Sequence, residues 1–124
     1  ELPVLLKASG KPRLRLDTMT ESDFNELIDE IFYGLELRLD EIDSDMDYEA
    51  GGGVLTLVFE NGSTMVFSRQ PPTRQLWLAT RAGGFHFEYD PHVEDWRNTR
   101  DQSLFKPFVV QQMKEQGGID FSWG

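Results

Sequence analysis

Between Glu21 and Glu49 the chain is apolar along one helical stripe and carries almost nothing but carboxylates elsewhere. Phe24, Leu27, Ile28, Ile31, Leu35, Leu39 and Ile42 recur every three or four residues, the period of an amphipathic helix. The same stretch holds twelve acids (Glu21, Asp23, Glu26, Asp29, Glu30, Glu36, Asp40, Glu41, Asp43, Asp45, Asp47, Glu49) and one base, Arg38. A stripe of this kind must be buried against a second layer, so the helix cannot stand alone. Its other side then presents like charges at helical spacing, which weakens a helix by a few tenths of a kcal/mol per pair. A chain that keeps this cost is expected to use the negative field.

Start and stop signals divide the rest. Thr20 or Ser22 can cap the helix, acids fill its first turn, and it is expected to run to about Glu41. Asp43 to Asp47 alternates and should leave the helix for a strand, which Gly51-Gly52-Gly53 interrupts. Val54–Glu60 and Ser63–Arg69 are two β-rich runs around Asn61-Gly62, the strongest short hairpin signal, and imply a type I′ turn. Pro71-Pro72 bends the chain into a strand at Gln75–Arg81, and Gly83-Gly84 turns it into Phe85–Tyr89. Asp95–Asn98 is short enough for an edge strand. From about Gln102 the period changes again: Leu104, Phe105, Phe108, Val109, Gln112 and Met113 fit a second helix closed by Gly117-Gly118. Pro107 fits only in its first turn, which places the start near Lys106. Phe121 and Trp123 of the tail can pack back on the domain.

This order predicts an α+β fold: a two-layer sandwich with the N- and C-terminal helices packed on one face of a five- or six-stranded antiparallel sheet. The other face must then meet solvent or a partner. On the strand at Gln75, alternation puts Leu76, Leu78 and Thr80 on one face and Gln75, Trp77 and Ala79 on the other. The aliphatic set should face the helices, leaving Trp77 on the open side, either as a binding anchor or partly covered by neighbours or the tail.

Composition narrows the function classes. With 124 residues, 39% apolar and 12% aromatic, the chain suits one domain with one core rather than a disordered acidic tail. Four of the twelve bases (Lys7, Lys11, Arg13, Arg15) fall in residues 1–18, which read as an N-terminal extension, native or vector-derived, ahead of a domain at 19–124. Without them 8 bases (12 less 4) face 20 acids (22 less 2). A formal charge of −10 disfavours nucleic acid and anionic membranes and favours cations or a basic protein surface. There is no cysteine, which excludes disulfides, thiolate metal sites and cysteine nucleophiles. No apolar run approaches the roughly 18 residues of a membrane span, and the 2–6 run is too short for a signal peptide, so a cytoplasmic location is expected.

Several stretches carry a family resemblance: Gly53-Val-Leu-Thr-Leu-Val-Phe-Glu-Asn-Gly-Ser63, then Arg69-Gln70-Pro71, Gln75-Leu-Trp-Leu-Ala-Thr80 and Gly83-Gly-Phe-His-Phe87. In this order the chain resembles the frataxin family, and in particular its bacterial CyaY branch, from about Phe24 to Gln116. The resemblance implies an iron-binding accessory protein of iron–sulfur cluster assembly, not an enzyme, monomeric without iron, with a cysteine desulfurase and a scaffold protein as partners. Carried over by position, Glu36, Asp40, Glu41, Asp43, Asp45, Asp47 and Glu49 would bind Fe2+ or Fe3+. Asp40, Glu41, Asp43 and Asp45 would also dock on the desulfurase, with Gln70 and Trp77 on the open sheet face and Ser68 where the family often has Asn. Leu37 departs from the pattern, standing where bacterial relatives often have a second acid, and the link from Ile42 to Gly53 is about two residues shorter than in some.

The chemistry of these residues agrees with weak metal binding. Carboxylate oxygens suit hard cations such as Mg2+, Ca2+, Mn2+ and iron, and without a rigid cage the site should be open, water-rich and unselective. A purely solvated acidic face is the plain alternative reading. Asp43, Asp45 and Asp47 fit positions 1, 3 and 5 of an EF-hand loop, but Tyr48 stands at its glycine position and Val54 at its bidentate-acid position. His86, among aromatics, reads as a structural or surface group, and His92 as at most an accessory ligand. No Ser/His/Asp set, phosphate loop or zinc spacing occurs. The acid pairs look too exposed for hydrolytic catalysis. The rival reading is a metal-independent acidic adaptor or inhibitor that covers a basic surface of a partner enzyme.

Overall fold

The structure, a computed structural model, describes residues 19–124; the expected extension at 1–18 lies outside the described residues. Helix α1 (Glu21–Asp40) is followed by strands β1 (Asp47–Gly51), β2 (Val54–Val58), β3 (Thr64–Gln70), β4 (Gln75–Thr80), β5 (Gly83–Asp90) and β6 (Asp95–Asn98), and by helix α2 (Phe105–Gly117). The six strands form one antiparallel sheet in sequence order, with β1 and β6 at its edges. The expected α+β sandwich is therefore present with six strands, and Asp95–Asn98 is the expected edge strand. No described helix is long and apolar enough to cross a membrane.

Thr20, not Ser22, caps α1. Its hydroxyl accepts from the Asp23 N–H at 3.0 Å while the Asp23 carboxylate accepts from the Thr20 N–H at 3.2 Å, a reciprocal capping box. The helix buries Phe24, Ile28, Ile31, Phe32, Leu35 and Leu39, the expected stripe widened by Phe32. Alternation along the strands supplies the opposing layer: Leu55, Leu57, Met65, Phe67, Leu76, Leu78, Phe87 and Trp96 are buried with Phe105, Val109 and Met113 of α2. Burying each such side chain stabilises the fold by ~1.5–3 kcal/mol. Phe24 and Trp96, and Phe87 and Phe105, meet edge to face across the layers at 5.8 and 5.2 Å. Arg69 also points to the helix side: its guanidinium bonds Asn25 at 2.9 Å and Asp29 at 2.6 Å, tying β3 to α1.

Residues 43–46 form a link ahead of β1, and Arg81-Ala82, not the paired Gly83-Gly84, make the turn into β5. Two further details differ from the sequence reading. The Asn61-Gly62 hairpin exists, but its turn is not type I′. The Gly62 N–H bonds the Phe59 carbonyl at 2.9 Å, so Glu60 and Asn61 are the central residues; neither has positive φ, and Gly62 alone does, at 88°. This is a type I turn with a glycine bulge. Asn61 is held there because its side chain accepts from the Ser63 N–H at 2.9 Å and donates to the Gln116 carbonyl of α2 at 2.8 Å. The primed geometry occurs one hairpin earlier, where Gly52 and Gly53, at φ 62° and 82°, join β1 to β2.

The second detail is α2. It begins at Phe105, one residue before the expected start, with Pro107 third in its first turn, where a backbone N–H would lack a helical partner anyway. Leu104 offers no side-chain cap. The cap comes from β6: the buried Asp95 carboxylate accepts from the Lys106 N–H at 3.2 Å. At the other end Asn61 and Arg81 bond the Gln116 carbonyl at 2.8 and 3.0 Å, and Gly118 closes the helix at φ 65°. The tail packs back as expected: Phe121 is buried, and the Trp123 indole donates to the Lys106 carbonyl at 2.9 Å.

Candidate functional site

The seven carboxylates read as metal ligands lie in an unbroken run of chain, but not on one side of the molecule. Glu36, Asp40 and Glu41 end α1, Asp43 and Asp45 occupy the link, and Asp47 and Glu49 belong to edge strand β1. All are exposed except Glu36, which is half-buried. Tyr48 divides the set. Its hydroxyl donates to Asp40 at 2.6 Å, so it points toward α1, and strand alternation turns its neighbours Asp47 and Glu49 to the open face. The acidic surface thus wraps around the β1 edge and joins the two faces of the sheet.

The phenol of Tyr48 is pushed up to about 12, first by its bond to Asp40, then by burial and by the nearby charges of Asp40 and Glu36. It stays protonated as a donor, fixing one Asp40 oxygen. Arg38 engages Glu41 at 3.0 Å and the Ser122 carbonyl at 3.1 Å. Among the described residues no three carboxylate or imidazole groups converge closely enough to hold one ion together. Any cation on this surface would keep much of its water shell and be shared by one or two carboxylates, an arrangement suited to loose, exchangeable binding.

The open sheet face carries the other predicted residues. Ser68 and Trp77 are cross-strand partners, and Val54 and His86 extend the same row on either side. Trp77 stacks on His86, ring centroids 4.2 Å apart and planes 9° from parallel, and its indole N–H bonds Gln75 at 2.8 Å. It is therefore on the open side as expected and partly covered, by its neighbour His86. Gln70 donates to Ser68 at 3.1 Å, and Gln75 donates to Glu88 at 3.1 Å. The sequence reading missed Gln75 as part of this cluster and set His86 aside as a surface group; the pairing of β4 with β5 brings them in. Glu49, Thr56, Val66, Ala79 and Gly84 form the adjacent row, so the acids of β1 and the Trp77 cluster share one surface. His92 lies in the turn after β5, its backbone N–H bonded to Asp90 at 2.9 Å, away from the acidic run.

Comparison with known proteins identifies the family. A family model described as a frataxin-like domain matches residues 17–119. The chain belongs to the frataxin family. Relatives named iron–sulfur cluster assembly protein CyaY include one from Pseudomonas fluorescens, 42% identical over 106 residues and covering 86% of this chain and 96% of the relative. Another, from Pseudomonas aeruginosa, is 44% identical over 102 residues and covers 82% and 94%. The frataxin of Psychromonas ingrahamii, a solved member of the CyaY family, has the same fold at TM-score 0.78 and 31% identity, with 86% of this chain and 99% of that one covered. A trimeric yeast frataxin crystallised in complex with ferrous iron matches at TM-score 0.60 and 25% identity, over 77% and 86% of the two chains.

Proposed function

We propose that this frataxin-family protein is an iron-binding accessory protein of iron–sulfur cluster assembly, not an enzyme, and that it works in the cytoplasm as a monomer until iron is bound. One observation carries the reading: the chain of carboxylates from Glu36 to Glu49 runs continuously along α1, the link and the β1 edge, and wraps onto the open face. Glu36, Asp40, Glu41, Asp43, Asp45, Asp47 and Glu49 attract Fe2+ or Fe3+ as cargo, and other hard divalent cations can substitute. The names of the Pseudomonas relatives and the ferrous complex of yeast frataxin support this assignment. Asp40, Glu41, Asp43 and Asp45 dock on a basic surface of a cysteine desulfurase, by fast, salt-sensitive association. Ser68, Gln70 and Trp77 supply a contact less sensitive to salt, to the desulfurase or to the scaffold protein on which the cluster is built.

The rival reading, a metal-independent acidic adaptor, draws on one observation: Arg38 and Tyr48 already engage Glu41 and Asp40. Anaerobic titration with Fe2+ while following backbone amide signals separates the two. Iron binding predicts selective broadening at residues 36–49. Unperturbed signals there at millimolar Fe2+ would leave the adaptor.

A further inference from the structure

Helix α1 turns more than charge outward. Tyr33 and Leu37, one turn apart, are 66% and 46% exposed and take no part in the core. At about 3.6 residues per turn they occupy the middle of the outward face. Glu26, Glu30 and Asp40 lie beside them, and Asp29, Glu36 and Glu41 lie at the margins. A single exposed apolar side chain needs no explanation. Here two are paired on one helix face inside a ring of carboxylates, and the nearby bases are drawn away from the centre: Arg38 pairs with Glu41 at the margin and reaches the tail at Ser122, and Arg69 reaches Asn25 and Asp29 at the flank.

Charge selects the occupant. A second copy meeting this face with its own would set carboxylates against carboxylates, and nucleic acid or an anionic membrane would be repelled. What complements an apolar centre in an acidic ring is a protein recess with an apolar floor and an arginine- or lysine-rich rim. We propose that Tyr33 and Leu37 are the apolar anchor of the docking face, seated in such a recess of the partner. This rests on the docking reading given above and adds a division of roles to it. The surrounding acids steer encounter and set the association rate, while the desolvated pair at the centre sets how long the complex lasts.

The test compares the parent, Tyr33→Ala/Leu37→Ala, Leu37→Glu and the variant Asp40→Lys/Glu41→Lys/Asp43→Lys/Asp45→Lys for affinity to a purified bacterial cysteine desulfurase at several salt concentrations. Neither Tyr33 nor Leu37 is in the core, so each variant should fold, checked by circular dichroism and unfolding midpoint. The double alanine variant should raise Kd about tenfold or more, chiefly through faster dissociation. Its slope of log Kd against log salt should match the parent's. Leu37→Glu should weaken binding although it adds a negative charge; if charge alone held the complex, it would bind as tightly or more so. A Leu37→Glu variant that binds better, or a double alanine Kd within roughly twofold of the parent's, overturns the anchor, and loss of binding in the four-lysine variant would then leave the docking reading standing. Parent-like binding by the four-lysine variant would remove docking and anchor together. Self-association of the parent that the alanine variant abolishes would place a second copy on this face and also overturn the proposal.

Discussion

The two helices flank the same sheet yet are held in opposite ways. α1 carries its own instructions: a capping box formed by Thr20 and Asp23, an unbroken apolar stripe, and a C-terminal turn in which the Glu41 N–H bonds the Arg38 carbonyl and the Ile42 N–H the Leu39 carbonyl. α2 has no side-chain cap of its own and is fastened by other elements, through Asp95 of β6 at its start and through Asn61 and Arg81 at its end. α1 also bonds the sheet through Asn25 and Asp29, but the outward side of the helix contributes little to folding. That side is where the chain can carry like charges and two exposed apolar residues. The helix that specifies itself is the one free to face a partner.

If α2 depends on its neighbours, cutting a bond between this helix and the elements around it should cost more than removing the cap of α1. The largest effect is expected from Gln116→Ala. The buried Gln116 side chain accepts from the Arg81 N–H at 2.9 Å and donates to Ser63 at 3.1 Å and to the Thr64 carbonyl at 2.8 Å. Leaving those groups unpaired should destabilise the protein by ~2–3 kcal/mol, read from urea unfolding at pH 7. Asp95→Ala should cost ~1–2 kcal/mol, because the Lys106 N–H and the Trp96 N–H (2.8 Å) both lose their acceptor.

Asp95 adds a pH signature. Burial pushes its carboxyl above the ordinary 3.8, against the downward pull of its bonds to the Trp96 and Lys106 N–H groups and the nearby charges of Lys106 and Arg97. A carboxyl raised on folding binds its proton more tightly in the folded chain. Its contribution to stability is therefore fully present below the unfolded value and lost as pH rises through the folded one. The stability of the parent relative to Asp95→Asn, which cannot ionise, should fall as pH rises from below 3.8 through the higher folded value. A constant difference over that range would show that Asp95 titrates alike in the folded and unfolded chains.

The smallest effect belongs to α1: Thr20→Ala should cost ~1 kcal/mol, since it removes the hydroxyl that accepts from the Asp23 N–H at an exposed terminus. If Thr20→Ala proved more damaging than Gln116→Ala, the contrast between the helices would be reversed.

The same contrast explains what was legible in the sequence. The limits of α1, the strand order, the Asp95–Asn98 edge and the face of Trp77 all follow from period and local caps. The start of α2 does not, because its cap is a carboxylate ten residues upstream on another strand. Nor does the turn at Asn61-Gly62, where the dipeptide favours the primed form but Gln116 of α2 captures the Asn61 side chain. For the site, the acids were readable as a run. Their division by Tyr48, which faces Asp40 and sends Asp47 and Glu49 to the opposite side, depends on a contact between α1 and β1 that no spacing encodes. The stack of Trp77 on His86 likewise required the register of β4 with β5.

The most direct measurement of the central claim is the affinity of a cysteine desulfurase for the parent and for Asp40→Lys/Glu41→Lys/Asp43→Lys/Asp45→Lys at low and physiological salt. All four positions are exposed, so the variant should keep the parent's fold, the relief of self-repulsion offsetting the lost Tyr48–Asp40 and Arg38–Glu41 contacts. The account predicts salt-sensitive binding by the parent and none by the folded variant. Equal affinity of the two proteins would contradict it.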